Sequence, residues 1–436
     1  MLVKDMIVEI VTLLRGRTPL LRLVDQESGA HRSFCPLGNP TTIYVCGITP
    51  YDTTHLGHAF TYLSFDALIR YWEYLGHEVR YVQNVTDIDD DILRKAGEVG
   101  DDWRELGNRW TRHFIQDMIA LNVRPPDVYP RATDVIPQMF AGIQALLDKG
   151  LAYVSDGNVY YHVAADPEFG RVTHLPPEEW LPTANEHGNH PDDPHKRDPL
   201  DFVLWQAQQP DEPAWESPWG LGRPGWHIEC STMAIEYLGK VIDVHGGGSD
   251  LSFPHHECET AQATGVTGET FFANFWLHTA MVRYEGEKMS KSLGNLVWTR
   301  DLLQDHTADA VRLLIHRHPY HETWEYDDSE LAAADELAKK LLDAVEATIE
   351  PGPPLNTEEA VAAFEAAMND NLDTRRALEA LSDLADAILS AGRAGKDVSE
   401  AQATLRQLGA VFGLMLDGEI EHRVRQGWDA HYQRFC

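Results

Sequence analysis

Cysteine is scarce in this sequence, with five residues among 436, and the number is odd. A disulfide framework is an improbable organising device for such a chain, which leaves free thiols or metal ligation. Apolar runs of membrane-spanning length are missing. Met1–Leu14 alternates apolar with charged positions, unlike the uncharged core of a signal peptide. A soluble, cytoplasmic protein with no membrane partner is expected. Positive charge is also in short supply: 36 Lys and Arg stand against 69 Asp and Glu, for a formal net charge of −33. Proteins that grip a large polyanion usually carry a basic surface. Small molecules are therefore expected as partners ahead of nucleic acid. Hydrophobic residues, at 43%, suffice for a sizeable core and speak against wholesale disorder.

Thr41–Gly47 is a β-branched run ending in glycine, His58–Tyr74 has a helical pattern, and Val79–Val85 is a second strand. Strand, loop, helix, strand is the βαβ unit of a doubly wound parallel sheet, an α/β fold. Its ligands bind at the carboxyl ends of the strands, where Gly47 and Thr86 fall. Strand signals return at Val241–Val244, followed by Gly246-Gly247-Gly248. Asn185–Asp201 is polar and proline-rich and reads as a surface loop or lid. From about Thr299 the pattern is helical, interrupted at Pro351–Pro354, and it is expected to end soon after Gly418. The expected organisation is a catalytic unit over 1–298, with a connective region inserted at about 115–215, and a linker and helical bundle over 299–436.

Two short segments have the chemistry to handle phosphate. His55-Leu56-Gly57-His58 stands between a strand end and a helix start. Free N–H groups and the macrodipole favour phosphate there, and the glycine admits a close approach. Taken alone, the pattern also fits two surface histidines at a helix cap. Lys288-Met289-Ser290-Lys291-Ser292 gathers two cations and two hydroxyls, suited to a triphosphate. Its bland alternative, a solvated basic loop, is less expected in so acidic a chain. Cys46, Cys230, His255 and Glu259 together offer zinc a ligand set of two thiolates, an imidazole and a carboxylate. His255 and Glu259 are at helical i, i+4 spacing. Spacing alone leaves His256, Glu257 and Cys258 as competitors.

The two phosphate motifs, in this order and with a βαβ unit, resemble those of class I aminoacyl-tRNA synthetases. Tyr44–Gly47, Asn84–Asp90, Gly225–Cys230 and Gly246–Glu259 resemble the cysteinyl-tRNA synthetase family in particular, over most of the chain to about Asp328. The resemblance implies a class I synthetase Rossmann-type domain with a C-terminal helical domain. It also implies ATP-dependent activation of L-cysteine as the adenylate, with one zinc per chain holding the substrate thiolate, and magnesium accompanying ATP. His55, His58, Lys288 and Lys291 then act on the phosphates. Cys46, Gly47, Ile48, Thr49, Thr61, Gly248, Ser249, Asp250, Val282, Met289, Ser290 and Ser292 complete the ATP and adenylate set. Gly47, Asn84, Thr86, Trp226 and Asp250 line the cysteine, with Asp250 the partner of its ammonium. Cys46, Cys230, His255 and Glu259 hold the metal.

Other segments resemble the ligase family of mycothiol biosynthesis, which joins cysteine to the amine of glucosaminyl-inositol. They are Ile48–Tyr62, Val163–Gly170, Asn295–Val297, Trp324–Tyr326 and Asn185–Asp201, the last with Glu186-His187-Gly188-Asn189-His190-Pro191 in place of that family's Glu-Arg-Gly-Gly-Asp-Pro. Glu259 and Gln262 follow the synthetase instead, and Leu293 stands where the ligase usually has a basic residue. The expected acceptor is the amino sugar, with tRNA as the alternative, on a monomeric enzyme. Asp52 and His187 are weak candidates for the base of the transfer step. A non-catalytic, synthetase-like regulator would be expected to have damaged motifs, and these are intact.

Overall fold

The computed structural model describes residues 21–51, 54–289, 293–416 and 418–436. The sequence readings on Met1–Leu14, Asp52, Ser290, Lys291 and Ser292 lie outside the described residues.

The centre is a parallel sheet of β1 (Thr41–Ile48), β2 (Val79–Val85), β3 (Ile242–Gly248) and β4 (Ala273–Thr279), in the order β4-β3-β1-β2. Helix α1 (Leu56–Tyr74) connects β1 to β2 on one side, while β3 and β4 lie on the other. The β1–β3 boundary is therefore a topological switch point, where a crevice opens at the strand ends. The glycine run departs from expectation. Gly246, Gly247 and Gly248 do not follow β3 but are its last residues, paired with Leu277, His278 and Thr279 of β4. A Cβ on Gly246 would run into the ring of Phe65, so glycine there lets α1 press against the sheet.

Alternation along β1 splits the core in two. Ile43 and Val45 pack with Phe60 and Leu63 of α1. Tyr44 and Cys46 face the other way, toward Ile228 and Met233 of α3 (Trp226–Leu238) and Ala261 of α4 (Glu257–Thr267). Helix α2 (Asp90–Val99) starts just past β2, capped by Asp89, whose side chain accepts from Asp91 N. Between β2 and α3 lies a five-stranded antiparallel sheet of Ala152–Ser155, Asn158–Tyr161, Phe202–Ala207, Gly220–Pro224 and Trp215–Ser217. The expected Asn185–Asp201 loop starts on the last two residues of the helix Pro177–Glu186 and continues as turns.

The C-terminal part is helical: α5 (Ala308–His316), α6 (Asp328–Val345), α7 (Glu358–Asn369), α8 (Thr374–Arg393) and α9 (Ser399–Val411). The Pro351–Pro354 cluster separates α6 from α7. One expectation fails here, because a further helix, α10 (His422–Tyr432), follows Gly418. Its sequence is polar apart from a few anchors. Val424 and Trp428, one turn apart, are fully buried, and Trp428 Nε1 donates to Val123 O at 2.8 Å. A buried ionic node joins α1 to these helices. Arg70 Nε donates to Asp66 at 3.0 Å, Arg312 pairs with Asp66, and both guanidiniums bond carbonyls near the end of α9. Among the described residues no helix is long and apolar enough to cross a membrane.

Candidate active site

At the switch point the β1–β2 register shifts between Val45 and Ile48. Gly47 lies in this irregular stretch, and its N–H donates to Asn84 Oδ1 at 2.8 Å. Asn84 Nδ2 donates to Thr86 Oγ1 at 3.2 Å. A Cβ on Gly47 would collide with the Asn84 backbone, so the close approach of the two strand ends requires glycine.

His55 is the N-cap of α1, and its Nδ1 accepts from Gly57 N at 3.1 Å. With Nδ1 an acceptor, the neutral ring carries its proton on Nε2, a donor at the positive end of the helix. The His58 ring lies 3.9 Å from that of His55. The chain after the lysine loop returns to this cap: Leu56 N donates to Val297 O at 2.8 Å and Thr299 N to Thr54 O at 3.2 Å. Two phosphate motifs far apart in sequence are thus tied together. Lys288 Nζ lies 3.4 Å from Asp250 Oδ2, with both side chains about half exposed.

These elements enclose a cavity of about 350 Å³. Cys46, Gly47, Ile48, Thr49, His55, His58, Thr61, Gly248, Asp250, Val282, Lys288 and Met289 line it, from the nucleotide set. Asn84, Thr86 and Trp226, from the cysteine set, line it too, as do Cys230 and His255. Ser249 does not: it opens a short 3-10 turn after β3 and lines a neighbouring depression with Asp250, Met281 and Lys288. Sequence reasoning gave no role to Tyr51, Tyr62, Leu251, Ala280, Met281 and Leu296, although Tyr51, Tyr62, Leu251 and Leu296 fall inside segments it had singled out.

The metal candidates converge on one wall. Cys46 Sγ lies 3.9 Å from Cys230 Sγ and 3.5 Å from Glu259 Oε1, and His255 Nε2 lies 3.0 Å from Glu259 Oε1. All four ligand atoms are within 4.8 Å of one another, and all four residues are buried. Zinc–ligand bonds of about 2.0–2.3 Å in a tetrahedron give edges of roughly 3.3–3.8 Å; the donor set fits zinc, and its spacings, from 3.0 Å to under 4.8 Å, bracket that range. A second geometric set, Cys46, His245, His256 and Glu259, shares two of these residues. Its histidines do not reach the cavity, whereas Cys46, Cys230 and His255 all line it. Two competitors are otherwise engaged. Glu257 accepts from the N–H groups of Gly170, Arg171, Val172 and Thr173 at 2.9–3.2 Å. Cys258 faces a different cavity.

Behind the cluster stand three histidines: His256, one of the competitors, and His245 and His278, which sequence reasoning passed over. His245 Nε2 lies 2.9 Å from Glu259 Oε2, and His256 Nδ1 lies 2.7 Å from His278 Nε2. Burial opposes charge on His255, but Glu259 and Cys230 outweigh it and push the imidazole up to about 10. Burial likewise opposes charge on Glu259, yet His245 and His255 hold it at about 2. Burial drives His256 and His278 down, so both stay neutral. Trp226 stacks on His255 with ring centroids 4.2 Å apart.

A parallel-sheet crevice with a histidine-capped helix and a lysine loop defines a class I synthetase-type ligase. Comparison with known proteins makes the class specific. Residues 36–336 match the family described as tRNA synthetases class I (C) catalytic domain, and residues 363–417 match the DALR domain. The chain belongs to this class I (C) synthetase family, whose members use ATP, and the resemblance read from its motifs holds. It is 45% identical, over 91% of its length and 94% of the relative's, to the L-cysteine:1D-myo-inositol 2-amino-2-deoxy-alpha-D-glucopyranoside ligase of Thermomonospora curvata. It is 44% identical, over 91% of its length and 86% of the relative's, to the cysteine–tRNA ligase of Halorhodospira halophila. Among solved structures, Mycobacterium tuberculosis methionyl-tRNA synthetase with methionyl-adenylate superimposes with a TM-score of 0.58. That match covers 86% of this chain and 89% of the other at 16% identity, a likeness of fold.

Proposed function

We propose that this protein activates L-cysteine with ATP and transfers the cysteinyl group to the amine of glucosaminyl-inositol, the acceptor named for the relatives at 45% identity. The observation carrying the first half is the juxtaposition of the two-thiol cluster with the histidine and lysine motifs on one cavity. Cys46, Cys230, His255 and Glu259 would hold a zinc ion, which supplies the Lewis acidity that ionises and selects a substrate thiol over a hydroxyl.

In this reading Asp250 exchanges its contact with Lys288 for the cysteine ammonium, and Trp226 and Thr86 close around the side chain. The cysteine carboxylate attacks the α-phosphorus of ATP. His55 Nε2–H and the start of α1 bind phosphate oxygens, and Lys288, released from Asp250, meets the charge gathering on pyrophosphate. The role is electrostatic and positional, and no protein nucleophile is needed. In transfer, the amine nitrogen bonds to the carbonyl carbon as the C–O bond to phosphate breaks. AMP leaves with the electron pair, and the two protons shed by the ammonium pass to solvent.

A second reading, esterification of tRNA, is favoured by Glu259 in the cluster and by the 44% identity to a cysteine–tRNA ligase. Purified protein given ATP, labelled cysteine, glucosaminyl-inositol and total tRNA separates the two. The proposal requires amide product without charged tRNA. Charging of cysteine tRNA with no amide would replace it.

A further inference from the structure

A second cavity, of about 450 Å³, lies on the other side of Trp226 from the first. Its size is within the range of small-molecule sites. It is bounded by the start of α2, the 186–190 segment, the strand Phe202–Ala207 and the start of α3. The two cavities meet: Thr49 and Trp226 line both. Tyr51, in the first, donates to Asp91 of the second at 2.9 Å. His227 of the second lies 2.9 Å from His255 of the first, nitrogen to nitrogen. The partition is one side chain thick.

Resting on the proposed activation of cysteine, we infer that this second cavity is the acceptor subsite and that it takes a cationic, hydroxyl-rich amine. A group entering by it meets the first cavity at Thr49 and Trp226, where a cysteine held by Trp226 and Thr86 would present its activated carboxyl. The charges in the wall decide the class of ligand. Its two cations are engaged: Arg223 pairs with Asp90 and Glu212, and Lys196 donates to Asn189 Oδ1 at 2.5 Å. Asp91 is paired with Arg94. Asp89 makes its cap bond to Asp91 N and has no ion-pair partner among the described residues. Burial, with Asp90 and Asp91 nearby, raises its carboxyl to about 6, so it remains mostly an anion at neutral pH. His187 and Gln206 add hydrogen-bonding groups for hydroxyls, Asn189 being bonded to Asn185, Pro199 and Lys196, and Phe169, Phe202 and Phe253 supply apolar walls. An amino sugar matches this lining. A polyanionic nucleic acid end would meet Asp89, Asp90, Asp91, Glu186 and Asp193, which outnumber Arg223 and Lys196 in this wall.

The test separates the two steps on the full chain with zinc supplied. Cysteine-dependent ATP–pyrophosphate exchange gives the half-saturating cysteine concentration. Single-turnover transfer from preformed adenylate, against graded glucosaminyl-inositol, gives that of the acceptor. In Asp89→Asn and in His187→Phe the second value should rise about tenfold or more relative to the first, the scale of losing a charge-assisted or buried hydrogen bond. An unchanged ratio in both variants overturns the acceptor site while cysteine activation and amide formation stand. A parent enzyme that exchanges pyrophosphate but forms no amide overturns the functional reading, and this inference with it. If circular dichroism shows Asp89→Asn unfolded, His187→Phe decides alone.

Discussion

The sulfur atoms of Cys46 and Cys230 stand 3.9 Å apart, brought together by the end of β1 and the second turn of α3. That separation is close to one edge of a tetrahedral thiolate pair around zinc, about 3.8 Å, and the pair is buried beside His255 and Glu259. Replacing one sulfur should therefore remove the metal and not merely alter packing. Cys230→Ala is expected to lower zinc from about one per chain to a small fraction of that, by metal analysis after dialysis. Full retention of zinc would contradict the assignment.

Glu259 occupies both its oxygens, His255 on one and His245 on the other. It orients two rings as well as offering a ligand. Glu259→Ser should keep zinc under metal-replete conditions but lower its affinity by roughly 10–100-fold, the usual cost of losing an outer or ancillary partner. Competition against a chromogenic chelator measures this. Complete loss of metal would show that the carboxylate is indispensable.

Lys288 rests on Asp250 and must exchange that contact for phosphate. Lys288→Ala is expected to slow single-turnover adenylate formation by roughly 10²-fold, the scale of one electrostatic stabiliser, with a smaller change in ATP affinity. Rapid-quench kinetics and equilibrium binding distinguish the two. An unchanged rate would exclude the role.

Burial alone would raise the Asp66 carboxyl, but Arg70 and Arg312 outweigh it and hold its pKa below the ordinary value. A depressed carboxylate contributes stability that is fully present above its unfolded pKa and is lost as pH falls through the folded one. Asp66→Asn leaves two buried guanidiniums short of a counter-charge and should destabilise the protein by about 3–5 kcal/mol at pH 7. The gap to the parent, from denaturant unfolding, should narrow as pH falls below about 4. A gap that widened instead would reverse the sign argued here.

Much of this was legible in the sequence, because the chemistry sits in short contiguous motifs. The β1–α1–β2 unit, the histidine cap and the lysine-bearing loop are local patterns with a local cause. The ligand set needed the resemblance, since His256, Glu257 and Cys258 offer the same chemistry within a few residues. Folding separates two of them by direction: a bend with extended backbone at Phe253 precedes α4 and turns His255 toward Cys230, while Glu257 is taken up by the 170–173 backbone and Cys258 faces the second cavity. His256 stays 3.4 Å from Cys46 Sγ and differs from His255 in not lining the first cavity. The glycines of β3 looked like a turn, because their reason for being glycine, Phe65, comes from another element. The helix α10 hid in a polar sequence held by few apolar anchors. The Asn185–Asp201 loop and His187 were visible as features, but that they wall a second cavity was not, since its lining is assembled from segments spread between Thr49 and Cys258.

Activation of cysteine by ATP is expected to depend on zinc at the Cys46–Cys230 cluster. The most direct measurement is amino-acid-dependent ATP–pyrophosphate exchange on protein of known zinc content, with cysteine and serine in parallel. The expected result is exchange with cysteine alone, falling in proportion as a chelator strips zinc and returning when zinc is restored. Full exchange by zinc-free protein, or equal exchange with serine, would contradict it.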